Sequence, residues 1–134
     1  MRAFALSVDY NLTVRTNRLQ QGINATDAGP SNGRLRLLDS GGNVLSTIQL
    51  SRPSAVAANG VATFNGVALI DPAASGTGYA TAARTEASDG TIVISGLTVG
   101  AASPGAQYDI FLSPTNYIAA GQTVAITAAT ITGN

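Results

Sequence analysis

Phe4, Leu6, Val8, Tyr10, Leu12 and Val14 fall on one parity of the chain, and Ala3, Ser7, Asp9, Asn11, Thr13 and Arg15 on the other. Alternation with period two over about twelve residues predicts a strand with one apolar face. That is longer than the usual five or six residues of a strand. Two placements fit it: an arm that pairs with or covers a neighbouring subunit, or an edge strand packed on its own sheet. Leu19 and Ile23, four apart, suggest a short helix from Thr16 to Ile23.

Beyond residue 30 the pattern becomes a series of short strands divided by turn residues. Leu35 and Leu37 are expected to point inward and Arg34 and Arg36 outward. Asp39 to Asn43 forms a turn, and Val44, Ile48 and Leu50 return on one face, which makes a hairpin. Pro53 and the alanines after it read as an irregular link. Asn59-Gly60 and Asn65-Gly66 bracket a strand Val61 to Phe64, continued by Val67 to Ile70 and stopped at Asp71-Pro72. Thr and Ala alternate from Tyr79 to Glu86, so this strand needs a close neighbour on each face. Further strands are predicted over Thr91 to Leu97, Gln107 to Leu112 and Gln122 to Thr132. In the last, the apolar parity changes between Ile126 and Ile131, which calls for a bulge near Ala128-Ala129. About eight strands with regular turn signals predict an all-β fold, an antiparallel β-sandwich or jelly roll. An N-terminal strand or arm over residues 1–16 would precede a single β-sandwich domain over residues 17–134.

Composition narrows the chemistry. The chain has no histidine, cysteine, tryptophan or lysine and a single glutamate, Glu86. Those types supply most general bases, covalent nucleophiles and metal ligands, so an enzyme, a metal site or a cofactor site is not expected. Seven arginines balance seven acidic residues, for a formal net charge of zero. Without a basic stripe to release counterions, no nucleic-acid partner is expected. Self-association is less opposed than usual when no net charge keeps molecules apart. Asp9 and Asn11 interrupt the N-terminal apolar residues, so the segment matches neither a signal peptide nor a membrane span, and synthesis in the cytoplasm is expected.

The remaining candidates each have a structural reading beside a functional one. Asn11-Leu12-Thr13 and Asn24-Ala25-Thr26 match the glycosylation acceptor pattern, which matters only in a secreted eukaryotic protein. Asp71, Asp89 and Asp109 would have to converge to serve as a carboxylate pair or a calcium site, yet each sits where a turn or strand edge wants it. Tyr10, Tyr79, Tyr108 and Tyr117 suit sugar stacking, or half-buried core and interface positions. Arg84, inside a Thr/Ala strand, suits a cross-strand or intersubunit ion pair, or simple solvation. Phe4, Leu6, Val8, Tyr10, Leu12, Val14 and Arg84 are therefore the candidate contacts with neighbouring subunits or with a larger assembly.

Three segments, NGVAT (Asn59 to Thr63), ASDGTIVISGLTVG (Ala87 to Gly100) and YIAAGQTVAITAATI (Tyr117 to Ile131), resemble in order and spacing a family of small structural proteins of tailed bacteriophages. Asn17-Arg18-Leu19 and the glycine-rich approach to Arg34-Leu35-Arg36 are similar to the start of that family's shared region. The likeness spans about Asn17 to Thr132. The chain departs from it at Ala82-Ala83, where members carry a Trp-Phe pair, and in its N-terminal alternation, where members are more helical. The resemblance implies a virion protein of the capsid decoration (cement) type, made in the cytoplasm of a bacterial host and carried on the capsid surface. The implied partners are the major capsid protein and further copies of the chain itself, as a dimer or trimer, with no membrane. A tail or head-to-tail connector component shares the likeness, and a carbohydrate-binding module shares the expected fold.

Overall fold

The structure is a computed structural model that describes residues 11–132. The first described element is α1 (Leu12–Asp27), a helix whose N-cap Asn11 is extended and accepts the amide of Val14 through its side chain. Leu19, Ile23 and Thr26 form the buried stripe at helical spacing. The predicted strand is thus corrected at its C-terminal end. Leu12 and Val14 lie in the first turn of α1, both exposed, because Asn11 starts a helix that tertiary packing then holds. Phe4, Leu6, Val8 and Tyr10 lie outside the described residues. The expected boundary at residue 16 falls within the helix.

Eleven strands follow among the described residues: β1 (Arg34–Leu38), β2 (Val44–Gln49), β3 (Ala55–Ala58), β4 (Val61–Phe64), β5 (Leu69–Asp71), β6 (Gly78–Tyr79), β7 (Ala82–Glu86), β8 (Ile92–Ala101), β9 (Ile110–Leu112), β10 (Tyr117–Ile118) and β11 (Val124–Thr132). Nine belong to one sheet in the order β2-β1-β7-β8-β9-β11-β4-β3, with β5 added on β11; β6 and β10 form a separate ribbon. The protein is all-β around one helix. Its sheet is mixed rather than wholly antiparallel, because β8 and β9 run parallel. The sheet curls until β5 lies against β2, which gives a sandwich-like, nearly closed shape.

The curl is made by two long strands that each serve several partners. β8 pairs with β7 through Ile92 to Thr98 and with β9 through Val99 to Ala101. Within the stretch paired to β7 the register slips between Leu97 and Ile94 and again between Ile94 and Ile92, and Gly96, at the first slip, sits at φ +77°, a left-handed conformation that side chains resist. β11 pairs with β5 at Val124 to Ile126, with β9 at Ile126 to Ala129 and with β4 at Thr130 to Thr132. Its register shifts between Ile126 and Ala128, one residue before the predicted bulge.

The β1–β2 hairpin has the predicted turn, closed by Asp39, whose carboxylate accepts the amides of Gly41 and Asn43. The two amides and the side chain of Asn43 hold that carboxyl below its ordinary value. A bulge at Leu38 makes Leu45 the odd residue, so Ser46, Ile48 and Leu50 face the core instead of the predicted Val44, Ile48 and Leu50. The alanine stretch expected as a link forms β3, hairpinned to β4 by a two-residue Asn59-Gly60 turn with both residues at positive φ. Val67 to Ile70 does not continue β4: the chain turns after Phe64 and β5 joins β11 instead.

Leu35, Leu37, Ile48, Ala83, Ile110 and Ile126 lie at the centre of the core, each 1 % exposed or less. Helix α1 covers one side of it, against β3, β4 and β8. The helix is fastened there by a buried relay. Ile94 N–H donates to Thr85 Oγ1 (3.2 Å), the Thr85 hydroxyl meets Thr26 Oγ1 (3.1 Å), and Thr26 donates to the carbonyl of Gly22 (2.9 Å). On the other side, Ser46 donates to Asp71 Oδ2 at 2.6 Å, so β2 and β5 meet through a satisfied polar pair inside the shell.

Candidate functional site

Two surface features stand out against this frame. The first arises from strand alternation. Leu35, Leu37, Ala83 and Thr85 point into the core, which turns Arg34, Arg36, Arg84 and Glu86 onto the outer face of β1 and β7. Cross-strand register then sets Arg34 opposite Glu86 and Arg36 opposite Arg84. All three guanidinium groups close on the one carboxylate. Arg34 Nε donates to Oε1 at 3.1 Å, Arg36 Nε to the same oxygen at 3.0 Å, and Arg84 Nε to Oε2 at 2.8 Å.

The cluster is asymmetric in burial and in charge. Glu86 is 3 % exposed, while the three arginine side chains keep 31 %, 28 % and 25 % of their surface. Burial disfavours the Glu86 carboxylate, but hydrogen bonds from Arg84 and Arg34 and the charges of Arg36 and Arg84 outweigh it, so its pKa lies below the ordinary value. Three cations against one anion leave the face positive. Asp89, in the turn after β7, offsets part of this near Arg34. Its carboxyl is held below the usual range by the amide and hydroxyl of Thr91, with a smaller contribution from Arg34. Beside Arg34 a polar groove of about 390 Å³ opens between Ser31, Asn32, Thr47, Gln49 and Ser88.

The second feature is the β6–β10 ribbon. Tyr79 and Tyr117 are register partners and pack edge to face, ring centroids 5.0 Å apart, yet they stay 60 % and 39 % exposed. Their backbone is fixed: Ala80 N–H donates to the carbonyl of Asn116, the Asn116 amide returns a bond to Ala80 O, and Ala120 N–H reaches Thr77 Oγ1. These are rigidly mounted aromatic rings in water.

Of the predicted contact residues, Arg84 makes an ion pair within its own chain, on its own strand and shared with the neighbouring one, rather than standing solvated. Leu12 and Val14 are separate from it, at the start of α1. The aspartates do not converge: Asp71 is bound to Ser46 and Ala73, Asp89 to Thr91, and Asp109 to Thr98. Among the described residues no group of three or more acidic side chains is placed to hold a metal. No described helix is long and apolar enough to cross a membrane. Arg34, Arg36 and Glu86 were not singled out from the sequence as a site. The signal was present in the R-L-R and R-T-E spacings, which put like residues on one face of a strand, but the pairing of β1 with β7 joins residues about fifty apart and no local pattern specifies it. No family model, curated protein or solved structure matches the chain.

Proposed function

We propose that the chain is a bacteriophage virion structural protein that decorates the capsid, binding the major capsid protein through many weak contacts repeated over the shell. The observation that carries this reading is the Tyr79–Tyr117 pair. Tyrosine is enriched at the centres of protein interfaces because its ring buries much apolar area while its hydroxyl keeps a polar partner. Mounted on a ribbon whose backbone is already hydrogen-bonded, the two rings lose little freedom on contact. Tyr117 and most of β11 also belong to the segments that carry the resemblance to tailed-phage structural proteins. One such contact is weak, but copies assembled as a symmetric dimer or trimer over capsid junctions act together and gain avidity without new chemistry.

Mass spectrometry of purified particles tests the reading by copy number. Decoration requires on the order of hundreds of copies per virion, whereas about six or twelve would assign the chain to a tail or connector, as expected of cyclic assemblies. Absence from particles would overturn the virion reading altogether. Replacing both rings (Tyr79→Ala with Tyr117→Ala) is expected to leave the fold intact and to lower occupancy on the particle. Unchanged occupancy would remove the ribbon from the contact. Light scattering of the purified chain reads the dimer or trimer directly.

A further inference from the structure

We infer that the arginine face of β1 and β7 is a docking surface for an acidic protein segment, whose side-chain carboxylates complete the charge balance that Glu86 leaves open. The inference rests on the virion reading only for which protein supplies those acids; the chemistry of recognition stands on the cluster itself.

Arg36 and Arg84 are direct cross-strand neighbours, an arrangement of like charges that is unfavourable on a sheet unless something compensates it. Glu86 compensates one of the three cations and is buried beneath them. It engages each guanidinium through Nε alone. The amino groups of all three are without a hydrogen-bond acceptor among the described residues, although about a quarter to a third of each side chain remains exposed. An Nε anchored from below holds the planar fork in place, so its outer edge is preorganised for bidentate pairing with a carboxylate. The groove between Asn32, Thr47, Gln49 and Ser88 supplies hydroxyl and amide groups alongside, as a polar interface rim does. Nucleic acid is the poorer occupant. Binding to a phosphate backbone grows with the number of cations that displace counterions, and here Glu86 and Asp89 cancel most of a set of three.

The test uses the full chain labelled with ¹⁵N in arginine, titrated with a hexaglutamate peptide, inorganic phosphate and a single-stranded oligodeoxynucleotide. Hexaglutamate is expected to shift the Nε–H signals of Arg34, Arg36 and Arg84 saturably, to lose effect with added salt, and to leave Arg52 unmoved. The paired variant Arg36→Gln with Arg84→Gln should weaken the peptide about tenfold or more. Because loss of those arginines also disturbs Glu86, Gln49→Glu provides the second arm. It is exposed, isosteric and opposite Arg34, and places a carboxylate on the face from within the chain. It should keep the fold and weaken the peptide severalfold. Signals that do not move, peptide affinity unchanged in Gln49→Glu, or tighter binding of phosphate or the oligonucleotide would each overturn the inference. None of these outcomes alters the particle copy number, so failure here is separable from failure of the virion reading.

Discussion

At the scale of residues, the fold depends on two polar arrangements, one on the outer face of β1 and β7 and one buried under α1. Glu86 is the only glutamate of the chain, and it is buried under three guanidinium groups. Glu86→Gln keeps the shape but leaves those partly solvated cations facing a neutral amide, and at neutral pH it should cost on the order of 1–2 kcal/mol. The pH dependence follows from the lowered carboxyl pKa. The stabilisation is present above the ordinary glutamate value of 4.5 and is lost as pH falls through the lower folded value. Wild type should therefore lose stability in acid more steeply than Glu86→Gln, a difference that denaturant melts between neutral pH and pH about 3 would resolve. Parallel curves would show that Glu86 contributes nothing through its charge. Thr85→Val tests the second arrangement. It keeps the β-branched shape but strips the relay of its middle hydroxyl, leaving the amide of Ile94 without its acceptor and the hydroxyl of Thr26 with only its bond to Gly22 O. A loss of about 1–3 kcal/mol is expected. A change within a few tenths would mean that water replaces the hydroxyl there.

At the scale of elements, what the chain reveals in advance and what it conceals divide along the range of the interaction. Turns written in local chemistry were readable: Asn59-Gly60 marks a turn because both positions take positive φ, although the hairpin it makes with β3 was not foreseen, and Asp39 to Asn43 closes on its own carboxylate. β1 was readable from its alternation and β4 from the Asn-Gly turns that bracket it, though not the break that separates it from β5. Helix α1 was concealed at both ends. Leu12 and Val14 carry a strand-like parity, while the residue that completes the helical stripe is Thr26, polar in sequence and buried only because Thr85 meets it. β3 was concealed because four residues of Ala and Val carry no face of their own until β4 fixes their register. The bend of β8 belongs to Gly96. The space around a Cβ there is open, so Gly96→Ala pays only for φ +77°, about 1–2 kcal/mol, and Gly96→Asn should recover part of it. Equal thermal midpoints for wild type and Gly96→Ala would show that the bend does not need the left-handed residue.

At the scale of the whole molecule, the pairings that close the sheet join distant parts of the sequence. Arg34 pairs with Glu86, Val61 with Thr132, and Ser46 of β2 binds Asp71 of β5. Neither half of the sheet can form its share of the core alone, because β8 and β11 each contribute to pairings on both sides of the bend. Leu19 and Ile23 of α1 belong to the same buried cluster as Ile126 and Ala129. Such a molecule should unfold as one cooperative unit and, being governed by non-local contacts, refold on a scale of about milliseconds to seconds. With Tyr10 and Tyr108 replaced by Phe, tyrosine fluorescence reports from Tyr79 and Tyr117 in the ribbon and far-ultraviolet circular dichroism from the sheet, so the two signals should fall at the same denaturant concentration. A tyrosine transition that precedes the loss of sheet signal would show the ribbon opening on its own. The rings would then be ordered only by what they touch, and the low entropy cost of the proposed contact would be lost. Coincident transitions would instead fix the rings to the stability of the entire fold, so that they enter any contact already ordered.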